Sequence, residues 1–246
     1  MYCYIDECGC ASIAADAVVC AVAVDEKRKK IAGVNDSKKI SKAQRERVYP
    51  TLTKELQFEV VRVPVRRIEE INIHWAKYEG MKQAVHNFVS RGVKIDKIIV
   101  DGKFVISDLG LDIPQEAVIK ADEKIWQVGA ASIIGKVCRD NYMANLAKSH
   151  EEYSYYDWES NAGYYTPTKH RDGIILHGPC DLHRRHFVYF QYCLDRHRKY
   201  VEFVEKGGSQ EEFFQKYGKH DGKSDYTIWK ESKNDIWKSI IPKERK

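Results

Sequence analysis

The run at residues 16–24, "DAVVCAVAV", sets the strongest limit on the fold. It is nearly all apolar and rich in Val. That composition suits a strand buried on both faces, not one alternating between core and water. Residues 1–6 read as a short strand before it. "FEVVRVPV" alternates as a third strand. Ile95, Ile98, Ile99 and Val100 run into Asp101-Gly102 as a fourth, and residues 117–120 form a short fifth. Between them lie helical patterns. One is capped by Ser41 and runs to about Leu56, with a disturbance at Pro50. A second spans 67–90 with a break near Asn72, and the longest spans 124–149. Residues 31–34 are expected to pair back as a hairpin after the charged turn "DEKRKK". A Tyr- and Gly-rich loop follows at 153–166, then a helix from near Pro167 and a last core-packing helix at 188–205. Strands first, then alternating elements, then helices alone predict an α/β core with a helical C-terminal cap. The expected division is a core at 1–150, a helical region at 151–205 and a basic, aromatic tail or appendage at 206–246.

The net charge of +5 is too small to identify a polyanionic partner without knowing its distribution. Seven cysteines, with no CxxC pair, fit a reduced protein with buried thiols. Cys8 and Cys10 have the wrong spacing for a zinc finger. With no signal-like segment and no apolar run of spanning length, a cytoplasmic monomer without membrane association is expected.

The acids carry the chemistry. The first strand ends in Asp6-Glu7, and Gly9 lies just beyond. Asp101 closes the fourth strand and is followed by glycine. Acids at strand ends beside glycine read as a site at a sheet edge, while Asp101-Gly102 taken alone reads more simply as a turn. In the longest helix, Ala130, Ile133, Val137, Asp140 and Ala144 share one stripe, so Asp140 falls on the face that packs on the sheet. A carboxylate on an apolar stripe needs a partner. Lys136 is one possibility, and a divalent cation shared with the other acids is the economical answer. Asp6 and Glu7 point to opposite faces of a regular strand, so both reach one site only where the strand ends or twists. Oxygen ligands favour Mg²⁺ or Mn²⁺. Four acids suffice for two ions about 3.5–4 Å apart, an arrangement that cuts phosphodiesters.

Six segments in order make the sequence similar to the type 2 ribonuclease H (ribonuclease HII) family. They are "IDECG", "VNDSKKIS", "INIHWAKYEGM", "VDGK", "VIKADEKIWQVGAASIIGKVCRD", and the pair "NAGYYTPTKH" with "GPCDLHRRHF". The resemblance spans roughly residues 4–187. It implies a ribonuclease H-like fold: a central mixed sheet flanked by helices, with a C-terminal helical region. It also implies metal-dependent endonucleolytic cutting of the RNA strand of an RNA/DNA hybrid or a ribonucleotide-containing duplex, leaving 5′-phosphate and 3′-hydroxyl ends. On this reading Asp6, Glu7, Asp101 and Asp140 are the catalytic, metal-binding acids. Gly9, Cys10 and Ala11 occupy the loop that meets the ribose 2′-hydroxyl. Asn35, Ser37 and Lys38 line the phosphate path, although "NDSKK" alone reads as a solvated loop. Lys136 contacts substrate or merely flanks Asp140. Tyr164 stacks on a sugar, and His170 and Arg184 meet phosphate or serve structure. Asp122 and Lys124 match the family and read equally as a local turn pair.

The departures are specific. Gly9-Cys10-Ala11 stands where the family has Gly-Arg-Gly, Ser12 and Asp16 replace prolines, and Tyr165 replaces a glycine. Gly135 replaces an alanine and Lys77 a threonine. The 2′-hydroxyl distinguishes RNA from DNA, so the preference for a single embedded ribonucleotide is expected to be weakened or altered. Two alternatives stay open at this point: a ribonuclease H-fold nuclease acting on DNA or junctions, and a non-catalytic nucleic-acid-binding subunit.

Overall fold

The computed structural model describes residues 1–34, 40–164, 168–220, 223, 224, 227 and 229. A five-stranded sheet has the order β3-β2-β1-β4-β5. β1 (Tyr2–Cys8), β2 (Ala17–Val24) and β3 (Gln57–Val63) form an antiparallel meander. β4 (Lys97–Asp101) and β5 (Gln115–Val118) extend it in parallel from the other side of β1. Every residue of β2 is buried, as its unbroken apolar run requires.

α1 (Lys42–Glu55) and α2 (Val65–Ser90) flank the sheet. Ser41 caps α1 in a reciprocal capping box with Gln44, and the helix continues through Pro50. α2 is interrupted at Asn72 (φ 73°, ψ 149°), whose side chain accepts from the His74 amide at 3.0 Å. α3 (Ala121–Lys124) is a single turn leading into α4 (Trp126–Ser149). Odd residues of β1, such as Cys3 and Ile5, pack with Met81, Ala84 and Phe88 of α2. Even ones, such as Tyr4, pack with Leu52 of α1 and Ala130 and Ile134 of α4. The start of α4 is buried on all sides from Gln127 to Gly135, which is more than the single stripe expected from sequence. A Cβ on Gly135 would lie 3.2 Å from Cys20 Cβ, so the small residue lets helix and sheet approach closely.

The expected hairpin at 31–34 is absent; Ile31 and Val34 are instead buried in the α1–α4 layer beside a turn. The Tyr- and Gly-rich stretch is more ordered than a loop. It holds a 3₁₀ turn (Glu151–Tyr156) and α5 (Trp158–Asn161). α6 (Thr168–His177) and α7 (Val188–Glu205) complete a third core of Tyr156, Trp158, Ile174, Phe190 and Tyr192. In the tail, α8 (Gln210–Tyr217) has its own capping box at Ser209–Glu212 and buries Phe213 against Tyr200 and Phe203.

Candidate active site

Asp6 and Asp101 are neighbours because their strands are. The parallel β1–β4 register runs from Tyr2–Lys97 to Ile5–Val100, and each acid is the next residue along. Asp122 arrives on α3, directly after β5. Carboxylate oxygens of Asp6, Asp101 and Asp122 all lie within 4.8 Å of one another. Asp101 Oδ1 accepts the Ala121 amide at 2.7 Å, which ties β4 to the turn that delivers Asp122. Asp6 accepts from the Glu7 amide at 2.8 Å and hydrogen-bonds Ser132 of α4, to which Lys136 donates at 2.8 Å. Burial and then the charge of Glu7 push the Asp6 carboxyl up to about 7, against the pull of the Ser132 hydrogen bond. A knot of hard oxygen donors under this repulsion fits a divalent cation.

Glu7 lies on the opposite side of β1, as strand alternation demands. It meets Lys77 of α2, with Nζ 2.9 Å from Oε1. Its Oε2 is buried with no hydrogen-bond partner among the described residues.

Asp140 is corrected by the structure. It stands outside the acid group, and its Oδ2 faces Arg45 of α1 at 3.5 Å. The stripe argument fixed its face but not its height: Asp140 is eight residues beyond Ser132, about 12 Å along a helix axis. The acid that joins Asp6 and Asp101 is Asp122, and the signal for it was an acid just past a strand end in "VIKAD".

The loop after β1 is held by buried arginines. Arg184 is fully buried, and its guanidinium donates to the carbonyls of Gly9, Cys10, Ser12 and Ala15 at 2.7–3.2 Å. Arg139 donates to Ala162 at 2.5 Å and to Asp16 and Ala14 at 3.3 and 3.4 Å. Gly9 has φ +77°, and a Cβ there would lie 1.9 Å from Arg139 Nε. Ser12 Oγ and the Ile13 amide both donate to Gly163, joining this loop to the segment that carries Tyr164. The half-buried Tyr164 phenol accepts from the Gly9 amide, and its ring lies under Arg139.

His170 is also fully buried and fixes Tyr164 from behind, with Nδ1 2.9 Å from the Tyr164 carbonyl. Its Nε2 meets Trp158 Nε1 and His183 Nε2, each at 3.1 Å. Burial holds the His170 imidazole down at about 4, so it is neutral at ordinary pH. Of the two roles the sequence left open for His170 and Arg184, their burial and internal partners support the structural one. Ala11 is exposed and Cys10 half-buried at the loop's rim, while Asn35, Ser37 and Lys38 lie outside the described residues.

The family model for ribonuclease HII matches residues 4–190. The chain belongs to the ribonuclease HII family. It is 37% identical over 186 residues to a ribonuclease HII of Acidothermus cellulolyticus, spanning 75% of this chain and 57% of that protein. It is 37% identical over 188 residues to one from Idiomarina loihiensis, spanning 76% of this chain and 95% of that one. Among solved structures it resembles ribonuclease H2 of Pyrococcus horikoshii, with a TM-score of 0.64 and 26% identity over 80% of this chain and 99% of that one. The ribonuclease HII match takes in all three clustered acids and ends before most of α7 and the tail.

Proposed function

We propose that this protein is a divalent-metal-dependent endoribonuclease that cuts the RNA strand of RNA/DNA duplexes, leaving 5′-phosphate and 3′-hydroxyl ends. The convergence of Asp6, Asp101 and Asp122 within 4.8 Å at adjoining strand ends carries this reading, together with family membership. These three acids and Glu7 hold the cation, Mg²⁺ or Mn²⁺. The bound ion supplies an activated water and charge neutralisation at the scissile phosphate. Asp6 is rigidly presented by Ser132 and by the amide of Glu7. The rim at Gly9, Cys10 and Ala11 offers backbone groups to the ribose, and Tyr164 stands beside it as a sugar platform. Lys136 serves the site from one step back through Ser132. Arg139 and Arg184 keep the rim in one shape, so recognition of the 2′-hydroxyl rests on backbone geometry. Without the family's loop arginine, the preference for one embedded ribonucleotide over a continuous hybrid is reduced.

The test compares Asp122→Asn with Asp140→Asn on labelled duplexes in Mg²⁺ and in Mn²⁺. Asp122→Asn is expected to lose more than about a hundredfold in rate, and Asp140→Asn less than about tenfold. The reverse order would return the fourth acid to Asp140. A parent protein that binds hybrid but cuts none of the panel in either ion would remove the enzymatic reading.

A further inference from the structure

The contact between Lys77 and Glu7 goes beyond the metal-dependent reading, although it rests on it. Four acids lie on or beside the sheet edge, and two ammonium groups are built in among them. Lys136 approaches Asp6 through Ser132. Lys77 is different because it touches a carboxylate directly, 2.9 Å from Glu7 Oε1. Their side chains are only 16% and 18% exposed, so water does little to screen the pair. The lysine arises on α2, a different layer from the one carrying Ser132, and comes to Glu7 from the opposite side of β1 to the three-acid cluster. Glu7 thus has one oxygen held by the protein's own cation and the other buried with no hydrogen-bond partner among the described residues. A cation drawn to that second oxygen meets an ammonium already in place.

We propose that Lys77 is a tethered counter-ion for Glu7, which a divalent cation must push aside before Glu7 can ligate it. The free protein accordingly holds its first ion through Asp6, Asp101 and Asp122, and recruits Glu7 only against competition from Lys77. Lys77 is a positioning residue: it acts on the ion through Glu7. Its ammonium sets how much divalent cation the site demands. Removing the charge deepens the negative potential at the cluster and frees the carboxylate, so ion binding tightens.

The experiment is a calorimetric titration of the full chain with MnCl₂ in the absence of nucleic acid. It compares the parent with Lys77→Met, Lys77→Thr, Lys77→Arg and Asp101→Asn, and reads melting temperature with and without Mn²⁺. Lys77→Met and Lys77→Thr are expected to bind Mn²⁺ on the order of tenfold more tightly than the parent. They are also expected to show a larger Mn²⁺-induced rise in melting temperature, and Lys77→Arg is expected to stay close to the parent. Equal or weaker Mn²⁺ binding by both uncharged variants overturns the proposal. Asp101→Asn separates the two levels of inference. If it abolishes binding while the Lys77 variants match the parent, only the counter-ion proposal fails. If it leaves binding intact, the ion does not sit at the acid cluster, and the metal-dependent reading falls with the proposal.

Discussion

The acid-bearing sheet edge and the loop clamp beside it handle buried charge in opposite ways. At the sheet edge, burial and then the like charges of Glu7 and Asp101 push the Asp6 carboxyl up to about 7. In the clamp, Arg184 is equally buried, yet its guanidinium is met by the carbonyls of four residues. The His170–Trp158–His183 set is likewise satisfied internally. The first arrangement leaves electrostatic strain that an outside cation relieves. The second meets its buried guanidinium with carbonyls, although burial and the neighbouring Arg139 still pull Arg184 down to about 10, and it spends its hydrogen bonds on shape. Rigidity and reactivity are thus allotted to adjacent but distinct groups, as expected where a strained site is carried by a well-determined surround.

The contrast is broken most severely at Asp101. Asp101→Asn should cut metal-dependent cleavage more than about a hundredfold. It should leave the metal-free melting temperature unchanged or raised, because one repelling charge is gone while Oδ1 still accepts the Ala121 amide. A marked fall in that temperature would mean the edge is structural after all. Arg184→Met is the mirror experiment. It strands several buried carbonyls and should lower unfolding free energy by about 3 kcal/mol or more in urea titrations. A loss below 1 kcal/mol would deny the clamp its role.

Gly9→Ala asks how tightly the two regions are coupled. The positive φ and the Arg139 guanidinium oppose a side chain there, and a loss of about 2–4 kcal/mol is expected. The smallest effect is in pH. His170 takes a proton near 6.5 when unfolded but only near 4 when folded. Its contribution is therefore whole above pH 6.5 and lost as pH falls toward 4. Denaturation midpoints followed across that interval in His170→Asn should decline less steeply than in the parent.

Much of the fold was legible because it follows from local rules. The Val-rich β2, the Ser41 cap, the break at Asn72 and the 188–205 helix were all readable from residue chemistry and periodicity. Asp6 and Asp101 were legible as acids closing apolar strands. Asp140 misled because helical periodicity names a face and says nothing of its height or of Arg45, which comes from another element. A structural role for Arg184 and His170 was one of two readings open in the sequence, but the groups they hold could not be read. Their partners are backbone carbonyls and rings far away in sequence, which no spacing rule encodes. Ile31 looked like strand because isolated apolar residues do not reveal whether they pair or plug a layer.

The parallel pairing of β1 with β4 has a temporal consequence. Tyr2 meets Lys97 only after the intervening chain has been made and folded back. Asp6 therefore has no acidic neighbour on β4 until Asp101 has been made and its strand has folded back. The closure that completes the sheet is the same one that brings Asp6, Asp101 and Asp122 together, so the acid group does not exist in a chain whose β1 and β4 have not yet paired.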